Sequence, residues 1–188
     1  MRAPDIIKFI KDGYRADSEM RKVKFEFSDR IKLIPNDFMH GKFFLLGAIV
    51  FVLLLSGLHS RGFSYNGFSS QIGPSIVKIL LGYCAGLLMT PMLLPYIPGR
   101  HFSLKGFFSG IIAYLIYLLF VSSNDSLVER FSWFFIITAI SSFLAMNFTG
   151  SSTYTSLSGV KKEMKLFVPL QIGFSAVGLI LLIIGKFI

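Results

Sequence analysis

One cysteine, one tryptophan, three histidines and ten acidic residues are all that 188 residues supply of these types, against nineteen Lys and Arg. The single Cys84 can build neither a disulfide framework nor a Cys-based zinc or iron–sulfur site from this chain alone, and its position within an apolar run marks it as a small packing residue. Charge is scarce too: 15% of residues carry it, where a soluble domain of this size usually has about a quarter. What replaces charge is apolar surface, 53% of the residues, with a mean hydropathy of +0.66. That surface is gathered into runs near the length of about 20 residues that crosses a hydrocarbon core, which excludes an ordinary water-soluble domain and implies an all-α integral membrane protein. The net charge of +9 does not indicate nucleic acid, because no basic stripe is interleaved with stacking aromatics and the 21 Phe lie mainly in the apolar runs.

Residues 1–42 form a mixed-charge layer with its own local signals and no signal-peptide pattern, so the first apolar run is expected to serve as an uncleaved anchor. Pro4 and Asp5 suit a first helical turn, Ile6, Phe9 and Ile10 make one apolar face, and Gly13 fits the position just past its end. Val23, Phe25 and Phe27 then alternate with Lys22, Lys24 and Glu26; after Ser28-Asp29, Ile31 and Leu33 alternate with Arg30 and Lys32. That pattern predicts a β-hairpin whose second strand stops at Pro35, followed by Asn36 or Asp37 as the cap of the first membrane helix.

Residues 43–188 are expected to form a five-helix transmembrane domain, with spans near Phe43–Leu58, Ile76–Tyr96, Phe107–Ser122, Phe131–Phe148 and Phe167–Phe187. Pro91 and Pro95 predict a kink late in the second span, ending in the turn Tyr96-Ile97-Pro98-Gly99, and Gly82 and Gly86 offer a surface for close helix approach. Basic residues give the orientation. With the N-terminus in the cytoplasm, fifteen of the nineteen lie inside: ten in residues 1–42, then Arg100, Lys105, Lys161, Lys162 and Lys165. Arg61, Lys78, Arg130 and Lys186 lie outside, so an inner (cytoplasmic) membrane protein with its C-terminus outside is expected. The apolar runs hold no Asp, Glu or Arg, which weighs against a proton- or sodium-driven carrier; Lys78 and Lys186 sit near enough to the outer interface to snorkel. His40, His59 and His101 all fall at predicted membrane boundaries without a second ligand at metal-binding spacing, so no metal site is expected.

The most distinctive stretch runs from Asn147 to Lys165, with seven Ser and Thr hydroxyls between a span and a basic cluster. It reads in two ways. It is a polar turnaround whose Ser158 caps a short interfacial helix that sets Lys161, Lys162 and Lys165 against anionic lipid, or it is a docking surface whose hydroxyls and lysines donate to a soluble domain or an anionic ligand. The docking residues would be Asn147, Thr149, Ser151, Thr153, Tyr154, Thr155, Ser156, Lys161 and Lys162. The chain carries no convergent acid, base and nucleophile set, so it is not expected to be catalytic alone.

The segment Asn147-Phe-Thr-Gly-Ser-Ser-Thr-Tyr-Thr-Ser-Leu-Ser-Gly-Val-Lys-Lys-Glu-Met closely resembles the membrane-domain signature of the mercury-methylation corrinoid proteins, relatives of the corrinoid iron–sulfur subunit of acetyl-CoA synthase systems. The likeness extends to Arg2-Ala-Pro-Asp-Ile, Met20-Arg-Lys-Val-Lys-Phe, Asp29-Arg-Ile-Lys-Leu-Ile-Pro and Leu94-Pro-Tyr-Ile-Pro-Gly-Arg100 with Phe102-Ser-Leu-Lys-Gly106, and so covers nearly the whole chain. It implies a cytoplasmic corrinoid-binding domain or subunit as partner, a ferredoxin-like iron–sulfur protein as electron source, and a corrinoid (cobalamin-type) cofactor carried by the partner. The assembly would move a methyl group to mercury or serve a related step of one-carbon metabolism. The family's cap-helix motif has no counterpart here: Trp133 is the only tryptophan and Cys84 lies far from it, so no cobalt-contacting residue carries over. The chain is expected to be the membrane half of a split protein or a fragment of a longer one, acting as the anchor and docking domain of a corrinoid methyltransferase. The alternative is a small channel or transport subunit for a metal or methylated product.

Overall fold

A computed structural model describes residues 5–21, 27–56, 58–59, 62–63, 65–121, 125–151 and 157–187. They form a helical protein: α1 (Asp5–Lys11), α2 (Ser18–Arg21), α3 (Phe27–Ser56), α4 (Tyr65–Cys84), α5 (Thr90–Leu93), α6 (Phe102–Phe120), α7 (Leu127–Ser151) and α8 (Leu157–Phe187). Between α3 and α4 the backbone makes a two-rung antiparallel ladder, Leu58 with Phe63 and His59 with Gly62. Among the described residues, four stretches are long and apolar enough to cross a bilayer: Phe68–Leu93, Phe102–Phe120, Leu127–Phe148 and Ser158–Phe187. The corresponding apolar part of α3, Gly41–Val52, is shorter.

The hairpin expected over residues 23–33 is not what the second half of that segment forms. Its first strand lies outside the described residues, but Phe27 to Leu33 belong to α3, and Pro35 sits within the helix rather than ending a strand. The reason is periodicity. Alternation over Arg30-Ile31-Lys32-Leu33 is only four residues long, whereas Phe27, Ile31, Ile34 and Phe38 recur at helical spacing. Tertiary contact then favours the helix: Ile34 packs on the cluster of Tyr83, Leu87 and Leu144, and the Phe38 ring stands edge-on to Tyr83 at 6.1 Å. The Arg30 guanidinium ties the start of α3 to the end of α5, donating to the carbonyls of Pro91 at 3.2 Å and Met92 at 3.4 Å.

Helix α7 is the axis of the bundle, with α4, α6 and α8 packed around it. Small residues permit the close approach. Added Cβ atoms on Gly82 and Gly86 would lie 3.2 Å from the Ile137 carbonyl and 2.6 Å from the Ser141 carbonyl, so the four-residue glycine spacing on α4 is a helix–helix contact. Gly106 and Gly110 of α6 press on α7 from another side, and Gly178 of α8 from a third. Hydroxyls on α7 reinforce these seams: Ser132 donates to the Gly178 carbonyl (2.8 Å), Ser141 to Gly106 (2.6 Å) and Ser142 to Ser103 (2.9 Å). In a hydrocarbon solvent, where apolar side chains gain nothing by leaving lipid, such packing and hydrogen bonding are what hold helices together.

Pro91 acts as expected on the second span. The helix relaxes into a π-turn over Ala85–Met89, and the Thr90 hydroxyl donates to the Ala85 carbonyl at 3.0 Å; the chain then turns through Gly99 at φ +117° into α6. The same geometry corrects the reading of Cys84. It is exposed on the outer surface of the bundle, because it lies midway between Gly82 and Gly86 and therefore on the helix face opposite α7.

Candidate docking face and buried polar clusters

Helix α8 has 31 residues, about 46 Å at 1.5 Å per residue, while a hydrocarbon core needs about 30 Å. The helix that carries Lys161, Lys162 and Lys165 is therefore not a separate short interfacial piece but the first turns of the span itself. Pro169 is accommodated within it. Of the sequence-derived docking residues, Lys161 and Lys162 are exposed on these first turns and Asn147 is exposed near the end of α7. Thr149 and Ser151 belong to the last turn of α7, while Thr153, Tyr154, Thr155 and Ser156 lie outside the described residues.

Glu163 was not singled out in the sequence, yet it organises this end. Its side chain is 2% exposed, turned inward while the neighbouring lysines turn out. One carboxylate oxygen accepts the Ser103 backbone N–H at 2.7 Å and the Ser103 hydroxyl at 2.8 Å; the other lies 3.8 Å from Nδ1 of His101, whose ring packs on Phe167 at 5.3 Å. Glu163 is thus an anionic cap supplied from α8 to the first turn of α6, where orphan backbone donors and the helix dipole favour negative charge. The contact draws the α5–α6 turn, with exposed Arg100, beside exposed Lys161, Lys162 and Lys165. Lys105 is directed elsewhere, donating to the Leu94 carbonyl at 2.5 Å. The result is one basic rim over a hydrogen-bonded polar seam.

The opposite end of the bundle holds a second cluster. Lys78 does not snorkel: its side chain is 3% exposed and ion-paired with Asp125, with its ammonium 5.0 Å from the ring centroid of Trp133 and 6.0 Å from that of Tyr117. Asp125 is held in turn by Arg130, whose Nε donates to the Asp125 carbonyl at 3.1 Å, while the Tyr114 hydroxyl donates to the Arg130 carbonyl at 2.7 Å. Ser126 and Glu129 cap α7 reciprocally, each side chain accepting the other's backbone N–H at 3.2 Å. Lys186 closes the ring, donating to Gln71 at 2.6 Å and lying 3.6 Å from Glu129.

Comparison with protein-family models, curated proteins and solved structures gives no match to this chain. The chemistry of the two clusters therefore rests on their own geometry. Both satisfy their charges internally, and neither presents a nucleophile with a base or an open set of metal ligands; among the described residues no group of three or more His, Cys, Asp and Glu converges on one point. What remains available to a partner is the basic rim.

Proposed function

We propose that this protein is a membrane anchor whose cytoplasmic face docks a soluble, corrinoid-binding methyltransferase module of the kind its sequence resembles. The observation that carries this reading is the segregation around Glu163. The acid is buried against the start of α6, and Arg100, Lys161, Lys162 and Lys165, drawn from two distant parts of the chain, stay exposed at one end of the bundle. A rim of exposed cations steers an anionic partner surface and fixes its register. The Ser- and Thr-rich segment between α7 and α8 joins these helices at the same end and supplies further donors. In this arrangement the corrinoid, and the iron–sulfur protein that reduces it, belong to the partner, and the membrane domain sets their position.

Reversing two rim charges tests the reading. Lys161→Glu combined with Lys162→Glu should lower capture of a purified corrinoid domain of that family about tenfold, with the difference shrinking at high salt, because the lost term is screened attraction. Tyr154→Ala should act in the same direction. Capture unchanged by all three substitutions would sink the docking surface while leaving the bundle untouched.

We further propose five spans, with α3 as the first, the N-terminus in the cytoplasm and the C-terminus outside. Support comes from α3 being a continuous 30-residue helix and from the bias of basic residues to one side. In a Cys84→Ala background, an impermeant thiol reagent should reach Ser156→Cys only from the cytoplasmic side and Ser69→Cys only from outside; the reverse pattern would overturn the orientation.

A further inference from the structure

Helices α6 and α8 both pack on α7 and leave between them a cleft of about 160 Å³ that starts directly below the basic rim. Phe107 of α6 and Phe167, Leu170 and Phe174 of α8 wall it, with Ala139 of α7 on the floor. Ring contacts fix its two ends. At the rim His101 packs on Phe167 at 5.3 Å; seven residues further along α8, about 10 Å, Phe174 stands edge-on to Phe107 at 5.6 Å and to Phe135 at 5.2 Å. Leu170, between these ends, is 51% exposed, so the cleft opens sideways to the medium around the bundle.

The mouth of this cleft carries positive charge. Lys162, Leu166, Leu170 and Phe174 recur every four residues and so form one row along α8; the last two line the cleft, and the first stands exposed above it. On the α6 side, exposed Arg100 immediately precedes His101. Glu163, the acid beside Lys162, is turned inward and held by Ser103, so it does not lie across the mouth. Lys161 and Lys165 belong to another side of the helix, roughly 140–180° round from Leu170 and Phe174. The rim therefore divides: Arg100 and Lys162 flank the cleft, and Lys161 and Lys165 face away from it.

Two cations above a narrow apolar cleft that opens toward hydrocarbon select an anion with an apolar chain attached. We propose that this is a binding site for one anionic glycerophospholipid, with its phosphate between Arg100 and Lys162 and one acyl chain running along the cleft from Phe167 to Phe174. The order of chemistry down α8 matches that of the lipid. Phe167 lies five residues, about 8 Å, below Lys162, which leaves room for the glycerol ester between phosphate and chain. Guanidinium and ammonium groups bind phosphate through charge-assisted hydrogen bonds, and the Phe walls supply contact to the methylenes. A free phosphate would use the charges and leave the cleft unfilled; a zwitterionic lipid would fill the cleft and gain less from the charges. The site goes beyond the docking of a soluble module and needs none, and Lys161 and Lys165 remain available to such a partner.

The test releases the full chain from nanodiscs of equal parts phosphatidylcholine and phosphatidylglycerol for native mass spectrometry. Wild type should retain one phosphatidylglycerol with about tenfold preference over phosphatidylcholine. Arg100→Gln with Lys162→Gln should abolish that preference, whereas Lys161→Gln with Lys165→Gln, which removes the same charge from the other side of α8, should leave it unchanged. Leu170→Trp fills the cleft from an exposed position and keeps every cation; it should lower phosphatidylglycerol retention about tenfold. Equal loss in the two double variants would mean diffuse attraction to the rim, and retention unaffected by Leu170→Trp would mean a headgroup bound without its chain. Either result overturns the proposal, as does a wild type that retains both lipids alike. If Leu170→Trp fails to insert, competition on wild type takes its place: glycerol phosphate in solution should not displace the lipid, and displacement would overturn the assignment of the cleft to an acyl chain.

Discussion

Gly106→Val should cost the folded bundle about 3 kcal/mol, the upper end of what overpacking usually costs, because the atoms in the way are the Ala145 Cβ and α7 backbone, none of which can turn aside. A Cβ at Gly106 would sit 2.6 Å from the Ser141 carbonyl oxygen and 3.0 Å from the Ser142 Cα. From the other flank, a Cβ at Gly86 would lie 2.6 Å from the same Ser141 oxygen and 2.9 Å from its Cα. Two helices therefore close on one turn of α7, and widening either contact also draws the Gly106 carbonyl away from the Ser141 hydroxyl, now at 2.6 Å. Gly173 provides the control. It lies in the interior of α8 with no atom within 4 Å of the Cβ position, so Gly173→Ala should be neutral or stabilise by up to about 1 kcal/mol through helix propensity. Reversible unfolding in mixed detergent micelles measures both. A loss below about 1 kcal/mol for Gly106→Val would show that α6 and α7 separate without penalty and that the seam is not where the bundle is held.

How far the sequence disclosed this architecture depends on the range of each interaction. Runs of apolar residues, the Pro91 distortion and the Gly82–Gly86 contact are local patterns: among the described residues four of the five expected runs fall in helices long and apolar enough to span, and the distortion and the contact lie where the pattern puts them. The hairpin failed because four alternating residues cannot outweigh a longer helical register whose partners, Tyr83 and Leu87, lie some fifty residues away. Cys84 was misjudged for a related reason: an apolar run says that a residue is in the membrane, not whether it faces protein or lipid. Its glycine neighbours two residues to either side carried that information. At the candidate docking face, Lys161 and Lys162 were visible as a cluster, whereas the role of Glu163 beside them was hidden. Its partners, Ser103 and His101, are some sixty residues distant, and nothing in Lys-Lys-Glu says which of three charges turns inward except the roughly 100° step of the helix. Gln171 carried a legible signal that was passed over: an amide at the fifth residue of the predicted last span needs a partner, and Ser142 supplies one.

The same blindness to distance hid the pairing of Lys78, and its consequences are the largest in the molecule. Lys78 is 3% exposed and Asp125 18%, so the two sides of the pair are not equivalent. Removing the acid by Asp125→Ala leaves an ammonium deep in the bundle with only the faces of Trp133 and Tyr117 to replace its counter-ion, contacts worth about 0.5–2 kcal/mol. Orphaning a buried charge typically costs about 3–5 kcal/mol, and Asp125→Ala should fall in that range. Lys78→Met should cost less, because the remaining carboxylate already borders water at the bundle end and rehydrates, while the thioether chain fills the space between the rings. The double variant Lys78→Met with Asp125→Ala should recover most of the loss, since neither member then needs a counter-charge and the apolar side chains suit their surroundings. Detergent unfolding of the four proteins forms a closed cycle whose coupling term should exceed about 2 kcal/mol. If Asp125→Ala instead costs under about 1 kcal/mol, Lys78 has an easy route to the interface, and this end of the bundle is held by packing on Trp133 and Tyr117 rather than by charge.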